Sequence, residues 1–101
     1  MTGNADISVT REGAGWFRVD VRSGDDFTSH RVEVPAGLAG QLGWGEDTEV
    51  ELVHESFVFL LEREAPTSIL PSFSLDVIGR YFPEYPTDIG SRVHHPGPSS
   101  S

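Results

Sequence analysis

Over residues 7–34 apolar and polar side chains alternate with a period of two, in three separate runs. Ile7 and Val9 make the first. Phe17, Val19 and Val21, set against Arg18, Asp20 and Arg22, make the second, and Thr28, His30, Val32 and Val34 share one face of the third. Successive side chains of a strand point to opposite sides, so this pattern specifies a sheet with one buried and one wet face. Glu12-Gly13-Ala14-Gly15 and Ser23-Gly24-Asp25-Asp26 supply turns between the runs, and Pro35 closes the third. The expectation is a three-stranded antiparallel meander. A chain of 101 residues holds one core, so whatever covers the buried face must come from the rest of it.

The cover is legible from residue 48 onward. Thr48-Glu49-Val50-Glu51 fits a capping box, in which the Thr hydroxyl accepts from the Glu51 amide and the Glu51 carboxylate reaches back. Asp47, Glu49 and Glu51 put negative charge at the positive end of the helix dipole. Val50, Val53, Phe57, Leu60 and Leu61 then recur at helical spacing, and Pro66 is expected to end the helix after Ala65. A second, shorter helix is predicted from an N-cap at Ser74, with Phe73 and Ile78 placed as a hydrophobic staple. Leu75, Ile78 and Phe82 share its face, and Pro83 stops it. Between the helices Ile69 and Leu70 are expected to plug the core. Residues 36–45 carry four Gly and predict one helical turn running into a loop. The predicted fold is therefore α+β, a three-stranded antiparallel meander packed by one long and one short C-terminal helix. The domain is expected to span 6–89, with disorder at 1–5 and in the Gly/Ser/Pro/His tail at 90–101.

Charge narrows the function classes. Sixteen acids against seven Arg and no Lys give a formal charge of −9. Phosphate contact needs clustered cations, and seven dispersed Arg speak against nucleic acid or an anionic membrane as partner. The absence of Cys removes disulfides, thiolate catalysis and thiolate metal sites. The polar start at residues 1–6 has no apolar signal region, and the longest apolar run, residues 57–61, is too short to span a bilayer. A soluble cytoplasmic protein is the expectation.

Ser56-Phe57-Val58-Phe59-Leu60-Leu61-Glu62-Arg63-Glu64, followed by Ser68-Ile69-Leu70, by Phe73, Leu75 and Ile78, and by Tyr81-Phe82-Pro83-Glu84-Tyr85, resembles a known pattern. It is that of a group of short bacterial proteins built on SFxFLLERE, SIL, FxLxxI and YFPEY, a group with no assigned activity. The resemblance covers residues 46–89. It implies a stand-alone bacterial domain and transfers no functional residue.

Candidate chemistry is sparse. His94 and His95 stand in the tail without an HxH, an HxxxH or an acidic ligand cluster around them, so no metal or other cofactor is expected. His54 beside Glu51 and Glu55 reads as a solvated helix face, since no nucleophile accompanies it. His30 reads as a core-edge imidazole with one satisfied nitrogen. Gly37-Leu38-Ala39-Gly40 matches a GxxG loop, but the acids Glu46, Asp47 and Glu49 follow where a phosphate clamp needs cations. The run from Glu46 to Glu55 is mostly explained by helix capping, with a weak hint of a basic partner.

Two features point to interaction. Leu52, Ser56, Phe59 and Arg63 line a second stripe of the long helix, which either receives the short helix or forms an interface. The segment Arg80-Tyr81-Phe82-Pro83-Glu84-Tyr85-Pro86 carries the aromatic and Arg side chains typical of binding hot spots. Phe59, Arg63, Tyr81 and Tyr85 are accordingly expected on an interaction surface. The leading expectation is a non-catalytic protein-interaction module, a homodimer or a subunit of a bacterial assembly. The alternative is a small-ligand binder or minor enzyme, with Trp44, or Trp16 or Tyr81, lining a pocket and Arg63 or Arg80 holding an anion. A third possibility, an antitoxin-like regulator, rests on fold analogy alone.

Overall fold

The computed structural model describes residues 6–45 and 48–92. The expected meander is present: β1 (Asp6–Gly13), β2 (Trp16–Ser23) and β3 (Asp26–Glu33) pair antiparallel in sequence. Phe17, Val19, Val21, His30 and Val32 are buried on one face, while Trp16, Arg18, Arg22, Phe27 and Arg31 are exposed on the other. The first hairpin turns on Ala14 and Gly15. Gly15 has φ +76°, and a Cβ there would come within 3.1 Å of the Val34 carbonyl oxygen, so glycine is required on both counts.

The sheet is nevertheless four-stranded and mixed. A short strand, β4 (Ser72–Ser74), lies parallel to β3 at the far edge, giving the order β1-β2-β3-β4. Three residues are too few for alternation to show, and Phe73 has the same apolar character whether it staples a helix or faces a sheet. The Arg31 amide donates to the Pro71 carbonyl at 2.8 Å and extends this junction by one bond. Leu70, expected in the core, is 51% exposed, whereas Ile69 is buried as expected.

A single turn, α1 (Leu38–Gln41), follows β3 and buries Leu38 and Ala39. The long helix α2 (Glu49–Leu61) begins after Thr48 as predicted, but the capping box does not form. The Thr48 hydroxyl donates to the Gly45 carbonyl at 2.6 Å, closing the preceding turn instead of accepting from the helix. At the other end α2 stops at Leu61, four residues before Ala65. Pro66 forces Ala65 into an extended conformation (φ −70°, ψ 153°), and the Arg63 and Glu64 amides both fold back on the Leu60 carbonyl.

α2 is buried on two sides. Val53, Phe57 and Leu60 meet the sheet, where the Phe57 ring lies 5.3 Å from His30 and 5.9 Å from Phe73. Leu52, Ser56 and Phe59 are also fully buried, against the C-terminal segment. The predicted short helix is instead divided. A 3-10 turn over Leu75–Val77 leads into α3 (Ile78–Tyr81), and Phe82, extended before Pro83, breaks the chain direction. A further helix, α4 (Tyr85–Gly90), then begins with Pro86 in its first turn. At a helix start the missing N–H of Pro86 costs nothing and its φ is already helical. Beyond α4 the Arg92 guanidinium bonds Asp88 at 2.8 Å and Glu62 at 3.2 Å. Of the disorder expected at 1–5 and 90–101, residues 90–92 are described, Gly90 closing α4, and the rest lies outside the described residues, as do Glu46, Asp47, His94 and His95.

Phe57 touches both the sheet and β4, so Phe57→Ala is expected to cost about 3–5 kcal/mol. Phe27→Ala, on the exposed face, is expected to change stability by less than about 0.5 kcal/mol. Urea unfolding of the two variants checks both; equal losses would contradict this account of the core.

Candidate interaction surface

The residues expected at an interface separate into three environments. Phe59 and Tyr85 are withdrawn into the core, at 0% and 1% exposure, with their rings in edge contact at 5.3 Å. They hold α4 on α2 and are not surface anchors. The reason is the second stripe of α2, which is filled by Phe82 and α4 rather than left open. Arg63 lies over the Phe59 ring at 3.7 Å, donates to the Phe59 carbonyl at 3.0 Å and pairs with Glu84 at 3.2 Å. Its guanidinium covers the end of the core and is already committed. Tyr81 alone of the four is freely accessible, at 69% exposure.

The residues considered for a small ligand do not converge. Trp44 is 3% exposed, and its indole N–H donates to the Ile89 carbonyl at 2.9 Å, which ties the 36–45 loop to α4. Arg80 is exposed on α3. Trp16 lies on the outer sheet face beneath the Arg31 guanidinium at 5.6 Å. That face gathers Arg18, Arg22 and Arg31, yet each is met by an acid. Arg18 bonds Asp20 at 3.2 Å, Arg31 approaches Glu12 at 3.6 Å, and Arg22 stands opposite Asp6. A hydrogen bond from Ser29 holds the Asp20 carboxyl below its ordinary range, so this acid stays charged among the arginines.

The histidines are accounted for locally. His30 is 3% exposed and uses both nitrogens, where the sequence reading expected one. The Leu70 carbonyl, 2.8 Å from Nδ1, can only accept, so Nδ1 carries the proton and Nε2 accepts from the Thr28 hydroxyl at 2.9 Å. The ring thereby pins the 66–71 loop to β3. His54 lies 3.5 Å from Glu55 on an open helix face. Among the described residues no group of three His, Asp or Glu side chains is arranged to hold a metal, and no helix is long and apolar enough to cross a membrane.

A largely apolar concave surface lies beside β4. A groove of about 420 Å³ runs between the end of α2, the 66–71 loop, β4 and α3. Leu60, Ile69, Phe73, Val77, Ile78 and Phe82 form its apolar lining, with Glu64 and Ser68 as polar members. Leu70 and Tyr81, 51% and 69% exposed, belong to the same lining. Apart from Tyr81, sequence reasoning missed this surface, because it assigned Leu70, Phe73, Ile78 and Phe82 to core packing. Their apolar character was visible; what left one side of them open was the unseen strand and the broken short helix.

Comparison of the chain with models of protein families, with curated proteins and with solved structures gives no match.

The Ser56 hydroxyl donates to the Leu52 carbonyl at 2.8 Å, so the bond of 2.7 Å between Ser56 and Tyr85 is donated by the Tyr85 hydroxyl. Burial pushes the Tyr85 hydroxyl up to about 12, against 10.0 for the free side chain. The raised value favours the neutral form, and its stabilisation is intact below pH 10. Between pH 10 and 12 the unfolded chain has lost this proton and the folded one has not, so stability falls by up to about 2–3 kcal/mol. Tyr85→Phe should flatten that loss relative to wild type in unfolding curves taken across the same window. An unchanged slope would sink this assignment.

Proposed function

We propose that the chain is a non-catalytic protein-interaction module, working as a homodimer or as a subunit of a bacterial assembly, and that the groove beside Leu70 and Tyr81 receives an apolar segment of a protein partner. The observation that carries the reading is the concave apolar lining with two large apolar side chains left exposed in it. Tyr is enriched among the side chains that anchor partners, and an uncovered apolar patch such as Leu70 and Tyr81 make beside a preformed hollow is otherwise a liability.

The charge at the groove defines the partner further. Glu64 is the only charged side chain in its lining. A basic residue flanking the apolar anchor of the partner would meet it, in keeping with the chain's overall charge of −9. The bacterial setting is drawn from the sequence pattern over residues 46–89.

The tagged full chain, used as bait in its native lysate, is expected to retain one stoichiometric partner. Leu70→Glu and Tyr81→Glu should each weaken capture, by about 2 kcal/mol or roughly thirtyfold if they are anchors. Glu64→Lys should weaken it less and mainly at low salt. Trp16→Ser and Phe27→Ser on the outer sheet face should leave capture unchanged, and circular dichroism should show all five variants folded. Undiminished capture by the Leu70→Glu, Tyr81→Glu double variant would overturn the groove as the docking site.

A further inference from the structure

The sheet has two edges, and they are unlike. At one, β4 is only three residues long. At the other, β1 runs for eight residues and pairs with β2 alone among the described residues. An outer strand leaves every second backbone N–H and C=O directed away from the sheet, and natural edges are usually blunted by Pro, by Lys, by brevity or by a bulge. β1 has a bulge only at its end, between Arg11 and Gly13, and its stretch from Ile7 to Thr10 contains no such device.

Apolar surface follows the same edge. Ile7 and Val9 point to the core side yet are only half-buried, and α2 leaves Val50 38% exposed and Val58 and Leu61 half-buried on this flank. One hollow, where α2 meets β1, is lined by Val9 and Val50 with Glu51, His54 and Glu55 at its rim; a second, between the end of α2 and the β2–β3 turn, joins Ile7, Val58 and Leu61 to the charged Asp26 and Glu62. The groove of the proposed partner is at the opposite edge, beside β4.

We propose that β1 pairs antiparallel with β1 of a second copy of this chain, about a two-fold axis through Ser8 perpendicular to the sheet. This rests on the interaction-module reading and names the chain itself as one partner. The register follows from the side chains. A two-fold perpendicular to the sheet keeps each face continuous, so residues of like parity meet. Centred on Val9, the pairing sets Asp6 against Glu12 of the other copy and Ile7 against Arg11. Centred on Thr10, it sets Val9 against Arg11. Centred on Ser8, it sets Asp6 against the Thr10 hydroxyl and Ile7 against Val9. Like charges directly opposite destabilise a strand pair and apolar pairs stabilise it; a dyad at Ile7 keeps Ile7 against Ile7 but pairs only residues 6–8 of β1, whereas the dyad at Ser8 pairs residues 6–10, which selects the Ser8 register. The product is one continuous sheet of eight strands, with both α2 helices on the same side. A foreign strand could use the same backbone groups, but nothing in such a partner would require Ser8 to face Ser8.

The chain has no Cys, so single-Cys variants of the full-length protein report the geometry cleanly. Directly opposite residues have Cα atoms about 4.5–5.5 Å apart, within disulfide range. Ser8→Cys is therefore expected to crosslink to a dimer under mild oxidation, and Thr10→Cys, about 14 Å from its copy in this register, is not. Wild type should sediment at twice the 11.0 kDa chain mass. A wild type that stays monomeric on concentration, with Ser8→Cys uncrosslinked, overturns the proposal. So does a wild-type dimer in which Ser8→Cys fails to crosslink, since another surface then holds the copies. Neither result touches partner capture through Leu70 and Tyr81. Conversely, loss of that capture site would leave the Ser8→Cys crosslink in place.

Discussion

A helix that is apolar on two sides has to be covered twice, and most of this structure follows from how α2 meets that demand. The sheet covers Val53, Phe57 and Leu60. The second side, Leu52, Ser56 and Phe59, needs another layer, which the chain builds by bringing residues 82–90 back across it. Ser56 marks the boundary condition. A buried hydroxyl must be satisfied, and the Leu52 carbonyl with the Tyr85 hydroxyl does so, fixing where α4 can lie. Arg63 and Arg92 finish the rim, tying α2 to α4 through Glu84, Asp88 and Glu62. Because these pairs remain partly open to solvent they position more than they stabilise.

Once α4 is placed, the remaining apolar side chains sort into covered and uncovered ones. Tyr85 and Phe59 were drawn inward, while Tyr81, four residues before Tyr85 and on the other side of the Phe82 break, was left outside. The open groove therefore contains one of the four side chains that the sequence placed on an interaction surface. The others serve the layer that makes the surface possible.

How much was legible depended on the length over which a pattern ran. Three eight-residue strands and a thirteen-residue helix impose a period that survives in the sequence, and their faces were readable except at the ends of the helix, where Val50 is exposed and Leu61 half-buried. β4 has three residues, and no period can be read from so few. Thr48 shows a different limit. Its place at the helix start was readable, but whether its hydroxyl bonds forward into the helix or back to Gly45 is decided by the preceding turn. The groove was illegible for a third reason: Leu70 has the composition of a core residue, and only the bond from His30 to its carbonyl turns that backbone inward and its side chain out.

That bond joins residues forty positions apart, at the same place where three parallel rungs attach β4 to β3. Everything on the other side of β3 is built from neighbouring hairpins, whose closure requires little loop entropy; this seam can close only after the whole of α2 has been laid down. Loop closure therefore costs this seam more than it costs either hairpin. A fluctuation that releases His30 and the three rungs frees the 66–71 loop without disturbing the meander. The wall of the groove is therefore held on β3 by one buried imidazole and three rungs, so opening it would break those few bonds and leave the hairpins of the meander intact.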